Sequence, residues 1–156
     1  MDAKSDSPGT DERQVVGLDV GGAHVKGARV VDGRLVEAFQ IASPMWTGID
    51  RLAAALAEAR DRLGPARRVA VTITAELCDA FSSRRDGLAA VTGLIAETFP
   101  ADRVRVWGGR AGFLALDAAT ERVADVASAN WHATASLVAT RLPAALLVDI
   151  GSTTAD

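Results

Sequence analysis

The sequence predicts an α/β fold built on a mixed β-sheet, and three observations carry this prediction. Three apolar strands follow one another closely near the N-terminus, which is typical of an antiparallel meander. Strands and helical segments then alternate, which is typical of parallel strands covered by helices. The 156 residues are 49% hydrophobic and 24% charged, which is the composition of a folded globular domain.

The predicted meander begins after a polar stretch, residues 1–13, that we expect to be a disordered tail. Val15–Val20 is a short apolar run and is interpreted as a buried strand, and Val25–Val31 is the second strand. The Asp-Gly pair at 32–33 predicts a tight hairpin turn, because glycine accepts a positive φ there. Arg34–Ile41 then continues as the third strand.

Alternating strands and helices are predicted for the rest of the chain. Leucines at helical spacing indicate the first helix, and the Gly-Pro pair at 64–65 ends it. The predicted order is helix Ile49–Leu63, strand Arg68–Thr74, a helix from an N-cap at Asp86 to Pro100, strand Val104–Trp107, a helical region from Trp131 to Pro143, and strand Ala145–Ile150.

Composition excludes several classes of function. The net charge is −3 and no basic stripe is present, so we expect no nucleic-acid partner. No apolar run approaches the ~20 residues that span a bilayer, and the N-terminus lacks the apolar core of a signal peptide, so we expect a cytoplasmic protein with no membrane partner. Cys78 is the single cysteine, so no disulfide can form within the chain.

The first strand ends in Asp19-Val20-Gly21-Gly22. Backbone N–H groups in such a glycine turn can form an anion-binding concavity, and the missing side chains let a phosphate approach closely. Asp19 beside this turn can hold Mg²⁺ directly or through water. Taken alone, the stretch fits an ordinary hairpin with a turn-favouring Asp at least as well.

The same pattern returns near the C-terminus, in Asp149-Ile150-Gly151-Ser152-Thr153-Thr154. Two such hairpins facing each other would bind a phosphate chain from both sides, with two carboxylates sharing one Mg²⁺. The sequence has no Gly-Lys-Ser/Thr, so these glycines do not form a P-loop. No helix follows the glycines at once, so they do not match the Rossmann dinucleotide-binding fingerprint either. The pair of motifs favours a phosphate site.

The two motifs resemble the first and second phosphate loops of the actin-like ATPase superfamily, to which actin, the large heat-shock chaperones and sugar kinases belong. The resemblance implies an actin-like (ribonuclease H-like) first lobe over residues 14–144. Residues 145–156 would be the opening strand and second phosphate loop of a second lobe, which we expect to be truncated in this sequence. Since two-lobed sites need both lobes, we expect the isolated chain to bind phosphate weakly and to be catalytically inactive.

Five further stretches resemble a narrower group: "GLDVGGAHVKGA", "PMWTGIDRL", "TAELCDAFSSRRDG", "VWGGRAGF" and "ASANWHATA". They are similar to the hydantoinase/oxoprolinase-related proteins of the tetrahydromethanopterin-linked C1 pathway, although His24 stands where this group often has Asn. The archaeal members are furan-methanamine synthases of methanofuran biosynthesis, and bacterial methylotrophs carry relatives for methylofuran. The archaeal enzymes join an aminomethyl-furan diphosphate to the phenol of γ-glutamyltyramine and release diphosphate.

This resemblance implies small-molecule partners, a diphosphate and a phenolic amine, and a reaction that does not require ATP. Our hypothesis is that the two loops hold the diphosphate and Mg²⁺ in place of ATP. Asp19 and Asp149 would position the metal. The residues expected to bind phosphate are Gly21, Gly22, Lys26, Gly151, Ser152, Thr153 and Thr154.

Candidate catalytic residues follow the predicted strand at 68–74. Glu76 could deprotonate the phenol or bind the substrate amine, with Asp79 as its companion. Arg84 could bind the glutamyl carboxylate, and Asn130 could bind substrate or cap a helix. Alternatively, these are solvated loop and capping residues, and Lys26 is an exposed strand residue.

Two other functions remain open from the sequence. One is an ATP-dependent ring-opening hydrolase or kinase of the wider superfamily, which a comparison of Mg·ATP with Mg·diphosphate binding would separate from the synthase. The other is a non-catalytic nucleotide-binding module.

Overall fold

The computed structural model describes residues 13–148. The predicted tail therefore lies outside the described residues except for Arg13. The strands are β1 Gln14–Val20, β2 His24–Val31, β3 Arg34–Ala42, β4 Arg68–Ile73, β5 Val104–Trp107 and β6 Phe113–Ala115. The α-helices are α1 Asp50–Leu63, α2 Arg84–Thr98, α3 Leu116–Glu121, α4 Val123–Val126 and α5 Asn130–Ala139.

The six strands form one mixed sheet in the order β3-β2-β1-β4-β5-β6. The first three strands are an antiparallel meander, and Asp32 (φ 51°) and Gly33 (φ 74°) form its second turn in the left-handed region. Strand β1 is parallel to β4, and β4 is parallel to β5, while β6 runs antiparallel to β5. The predicted α/β class with a mixed sheet is confirmed.

One face of the sheet carries the hydrophobic core. Side chains alternate along each strand, so Val16, Leu18 and Val20 of β1 all point to this face and are buried. Helices α1 and α2 contribute the opposing apolar side chains, of which Leu56 and Ile95 are fully buried. The helical spacing of leucines in α1 therefore predicts its buried side correctly.

The other face of the sheet is lined by small residues and is only partly covered. Gly17, Ala28 and Ala70 form the floor of a trough that Trp107 and α5 border. Helix α5 has no buried residue, and Trp131 within it is 45% exposed. The apolar residues of the predicted helical region therefore do not form a buried stripe. Among residues 13–148, no helix combines the length and the apolar character needed to cross a bilayer.

Helix α2 begins earlier than predicted, because Ser83 is its N-cap and not Asp86. Ser83 has extended backbone (φ −155°, ψ 161°), and its Oγ accepts a hydrogen bond from the Asp86 amide at 3.1 Å. The Ser83 hydroxyl also lies 2.8 Å from Asp86 Oδ2. The serine at the cap thus satisfies one free amide of the first turn, and the Asp86 carboxylate accepts a hydrogen bond from the serine hydroxyl.

Two further differences concern the second half of the chain. Strand β6 is not predicted by the sequence, because three residues are too few for alternation to be recognised. The sequence predicts a strand over Ala145–Ile150. Residues 145–148, the described part of this segment, do not form a strand with any other described residues. Leu146 there is 90% exposed. Residues 149 and 150 lie outside the described range.

Candidate functional site

The candidate site lies at the edge of the sheet where β1 and β4 end. These two strands are parallel neighbours, so the segments that follow Val20 and Ile73 meet at the same edge. Ile73 also forms a parallel bridge with Ala127, which brings the connection between α4 and α5 to this edge. Three segments distant in sequence therefore converge there.

The turn between β1 and β2 presents free backbone amides. The Gly21 amide donates to His24 O at 3.0 Å, and Gly22 O accepts from the Met45 amide at 2.9 Å. Within residues 13–148, the amides of Gly22 and Ala23 have no acceptor. Our prediction that Gly21 offers its N–H to an anion therefore needs correction, because the turn itself uses that group. Gly22 and Ala23 offer the adjacent pair.

Neither glycine of this turn has a positive φ, and close packing explains Gly21 but not Gly22. A Cβ on Gly21 would lie 3.0 Å from His24 O and 3.4 Å from Thr74 Oγ1, and one on Gly22 would lie 3.8 Å from Cys78 Cβ. The turn therefore packs directly against the segment after β4.

Asp19 is held in a fixed orientation at the end of β1. Its Oδ1 accepts a hydrogen bond from Thr72 Oγ1 at 2.8 Å, and its Oδ2 lies 3.3 Å from Lys26 Nζ. Both partners are its direct neighbours across the sheet. The Asp19 side chain is 26% exposed and that of Lys26 is 58% exposed, so the ion pair is accessible to solvent.

The described residues at this edge could hold a magnesium ion only if further ligands completed its coordination shell. Among residues 13–148, no three metal-ligating side chains cluster together. Mg²⁺ commonly uses one or two carboxylates, with water and substrate phosphates completing its shell. Asp19 can supply one carboxylate. Asp149 lies outside the described residues, as do the phosphate-binding candidates Gly151, Ser152, Thr153 and Thr154.

Glu76 is a buried carboxyl in a short 3-10 turn, Ala75–Leu77, directly after β4. It is only 2% exposed. Its Oε1 accepts a hydrogen bond from Ser128 Oγ at 3.3 Å, while its Oε2 is buried without a partner among the described residues. Burial raises the pKa of Glu76, and hydrogen bonds from its own backbone and from Ser128 partly oppose this.

A carboxyl with a raised pKa and one unpartnered oxygen can exchange a proton with any group that reaches that oxygen. Such perturbed groups occur most often at functional sites, because proton transfer works best when the pKa approaches the working pH. The catalytic role of Glu76 stays a prediction, and its raised pKa is consistent with that role.

The raised pKa of Glu76 also predicts how stability depends on pH. The folded state retains the Glu76 proton to a higher pH than the unfolded state, whose pKa is near the ordinary 4.5. Stability is therefore lost as pH rises from about 4.5 through the folded pKa. We expect Glu76→Gln to be more stable than the wild type at pH 7, with a smaller difference at pH 4, in urea denaturation. A wild type that gains stability over this variant as pH rises would contradict the raised pKa.

Gly87 in α2 allows the Glu76 turn to pack against that helix. A Cβ on Gly87 would lie 2.7 Å from Glu76 O and 3.0 Å from Glu76 Cα, both backbone atoms, and 2.8 Å from Phe81 Cδ2. The turn would have to shift to accept any side chain there.

We expect Gly87→Ala to destabilise the fold by about 1–3 kcal/mol, because a rigid backbone has to move. Gly93→Ala in the same helix is the matched control, since its Cβ would meet nothing within 4 Å. Alanine there should stabilise the helix by about 0.5–1 kcal/mol. Denaturant unfolding measures both changes. Equal effects of the two substitutions would show that Gly87 has no special packing role.

The other predicted site residues, Asp79, Arg84 and Asn130, are not fixed by side-chain contacts within the described part of the chain, as Asp19 and Glu76 are. Asp79 is exposed and has no hydrogen bond or ion pair among the described residues. Arg84 is exposed in the first turn of α2, and its charge acts on Glu76 by lowering that pKa, the smallest of the opposing effects. Asn130 is the first residue of α5, but the cap position is Ala129 and no side-chain capping bond forms. The interpretation of Asn130 as a helix cap is therefore wrong.

The structure adds residues that sequence reasoning missed. Thr72 could have been found, because it lies opposite Asp19 once β1 and β4 are paired, on the face away from the apolar Val71 and Ile73. Ser128 has no local sequence feature that distinguishes it. The bridge between β4 and the residue before Ser128 brings it to Glu76.

The fold and site define an α/β protein with a glycine turn and a buried acid at one edge of a mixed sheet. Comparison with known proteins gives its family. The hydantoinase/oxoprolinase family model matches residues 67–156, more than half of the chain. The chain belongs to the hydantoinase/oxoprolinase family, which confirms the resemblance predicted from its motifs.

A curated relative is the (4-{4-[2-(gamma-L-glutamylamino)ethyl]phenoxymethyl}furan-2-yl)methanamine synthase of Methanocaldococcus jannaschii. It is 32% identical to this chain over 143 residues. The match covers 91% of this chain and 42% of the relative. The chain therefore spans less than half the length of the relative that it matches.

Proposed function

We propose that the whole protein containing this sequence is a synthase of methanofuran- or methylofuran-type cofactor biosynthesis. It would join an aminomethyl-furan diphosphate to the phenol of a γ-glutamyltyramine- or tyrosine-type acceptor and release diphosphate. The 32% identity to the Methanocaldococcus jannaschii synthase supports this assignment. The observation that carries it is the packing of a turn with two free amides, Gly22 and Ala23, against the segment that bears the buried Glu76.

The glycine turn supplies the phosphate half of the proposed site. In this proposal the chain is an actin-like first lobe, and the amides of Gly22 and Ala23 donate to the diphosphate. Lys26 adds a positive charge beside them once it exchanges Asp19 for a phosphate oxygen. Bound Mg²⁺ would neutralise charge on the departing diphosphate, and Asp19 and Asp149 would hold it.

Glu76 is the general base of the proposed reaction. In its ionised form, its Oε2 accepts the phenol proton as the phenol oxygen attacks the methylene carbon of the furan substrate. The new C–O bond forms while the bond from that carbon to the diphosphate oxygen breaks, and diphosphate leaves with the bonding electrons. Arg84 would bind the acceptor's carboxylate, and Asp79 and Asn130 its polar groups. ATP takes no part, and we place the reaction in the cytoplasm.

A direct assay tests the proposal. The purified whole protein is mixed with the furan diphosphate, the phenolic amine and Mg²⁺, without nucleotide, and ether and diphosphate are both quantified. We expect one diphosphate released for each ether formed. Turnover that requires ATP, or that produces ADP, would overturn the proposal.

An ATP-dependent ring-opening hydrolase is the second candidate, because the matching family model is that of hydantoinases and oxoprolinases. In this case the same turn would bind the phosphates of ATP. Hydantoin- or oxoproline-dependent ADP formation by the whole protein would support this candidate over the synthase.

A further inference from the structure

The connection between α4 and α5 contains a residue in an unfavourable backbone conformation. Ser128 has φ 55°, in the left-handed region. Asp32, with φ 51°, shares this feature among the non-glycine residues of 13–148, but it lies in a hairpin turn, where Asp is well tolerated. Ser128 is the third residue of a turn over residues 126–129, in which Ala127 has φ −59° and ψ 124°; this is the pattern of a type II turn, whose third position requires a positive φ and is usually Gly or Asn, not Ser. Strained residues of this kind persist where the surroundings impose them, and they cluster at functional sites.

Contacts on both sides hold Ser128 in this conformation. Ala127 before it forms the parallel bridge to Ile73, at the end of β4. Ala129 after it donates its amide to Val126 O at 3.3 Å. The result is that Ser128 Oγ lies 3.3 Å from Glu76 Oε1.

We propose that Ser128 is the positioning residue of Glu76: its hydroxyl fixes Oε1 and leaves Oε2 as the carboxyl oxygen without a partner among the described residues. This inference rests on the proposed function, in which Glu76 takes the phenol proton. The hydroxyl donates to Oε1 throughout, while the phenol O–H bond breaks and its proton moves to Oε2. Ser128 itself neither gains nor loses a proton.

The role of Ser128 has a measurable consequence for the Glu76 carboxyl. A donor to Oε1 favours the ionised form, which burial disfavours. Arg84, at the start of α2, is the charged side chain whose field reaches Glu76 among the described residues, and it acts in the same direction. Removal of the Ser128 hydroxyl should therefore raise the pKa of Glu76 further, while Arg84 remains unchanged.

Two substitutions separate positioning from a purely structural role. Ser128→Ala removes the hydroxyl and keeps the strained Cβ, whereas Ser128→Gly removes the hydroxyl and relieves the strain. The Glu76 carboxyl is followed in the 156-residue chain by ¹³C NMR titration, with its resonance assigned by its absence in Glu76→Gln. We expect the pKa of Glu76 to rise in both variants, although the glycine variant is at least as thermally stable as the wild type.

The same variants are then assayed in the whole protein. We expect kcat to fall by about tenfold, part of the 10²–10⁴-fold that a general base contributes, and the acid limb of the pH–rate profile to move upward. An unchanged Glu76 titration in both variants would overturn the positioning role. If the titration moves but Glu76→Gln leaves turnover intact, positioning stands and the proposed function fails.

Discussion

Replacement of Glu76 by glutamine is expected to lower kcat of the whole protein by about 10²- to 10⁴-fold. Glutamine has nearly the same shape and still accepts a hydrogen bond from Ser128, but it cannot take a proton from the phenol. Stopped assays of ether formation at saturating substrate measure the loss.

Two controls make this test specific to Glu76. Glu97→Gln changes an exposed acid of the same chain that has no hydrogen bond or ion pair among the described residues, and it should leave kcat unchanged. The wild-type rate should also fall as pH decreases through the raised pKa of Glu76, since only the ionised form accepts a proton. A Glu76→Gln variant that keeps kcat within a few-fold of wild type would exclude Glu76 as the base.

Asp19→Asn should produce the second large effect, a loss of about 100-fold or more in kcat/KM at low Mg²⁺ concentration. Asparagine can still accept the hydrogen bond from Thr72, so the strand end keeps its geometry while the metal loses a charged ligand. The loss should shrink as Mg²⁺ is raised. The exposed ion pair with Lys26 contributes less than about 1 kcal/mol to stability, so the variant should fold normally.

The matched control is Asp102→Asn, which removes one negative charge from an exposed turn far along the chain from β1. It should leave both kcat/KM and the Mg²⁺ dependence unchanged. An Asp19→Asn protein with the wild-type dependence on Mg²⁺ would contradict the assignment of Asp19 as a metal ligand.

The framework of the fold was predictable because its features are local. Alternation places Val16, Leu18 and Val20 on one face, and the Asp-Gly pair at 32–33 defines a turn. Leucine spacing identifies the buried side of α1. Strand β6 and the open α5 were not predictable in this way, because their positions depend on tertiary contacts with little local sequence pattern.

The candidate site likewise combines features that local sequence predicts with features that only tertiary contacts determine. Asp19, the glycine turn and Glu76 were recognisable, because each follows an apolar strand and the ends of parallel strands meet. The burial of Glu76, its unpartnered oxygen and its bond to Ser128 were not, because they depend on how a later loop packs across β4. For the same reason the sequence predicts a free amide at Gly21, whereas the turn itself uses this amide.

The central claim is that the glycine turn serves an alkyl diphosphate and not ATP. Calorimetric titration of the whole protein with Mg·diphosphate and with Mg·ATP compares the two ligands directly. We predict that Mg·diphosphate binds at least about tenfold more tightly and that Asp19→Asn weakens this binding. Much tighter binding of Mg·ATP than of Mg·diphosphate would contradict the claim and favour an ATP-dependent enzyme of the family.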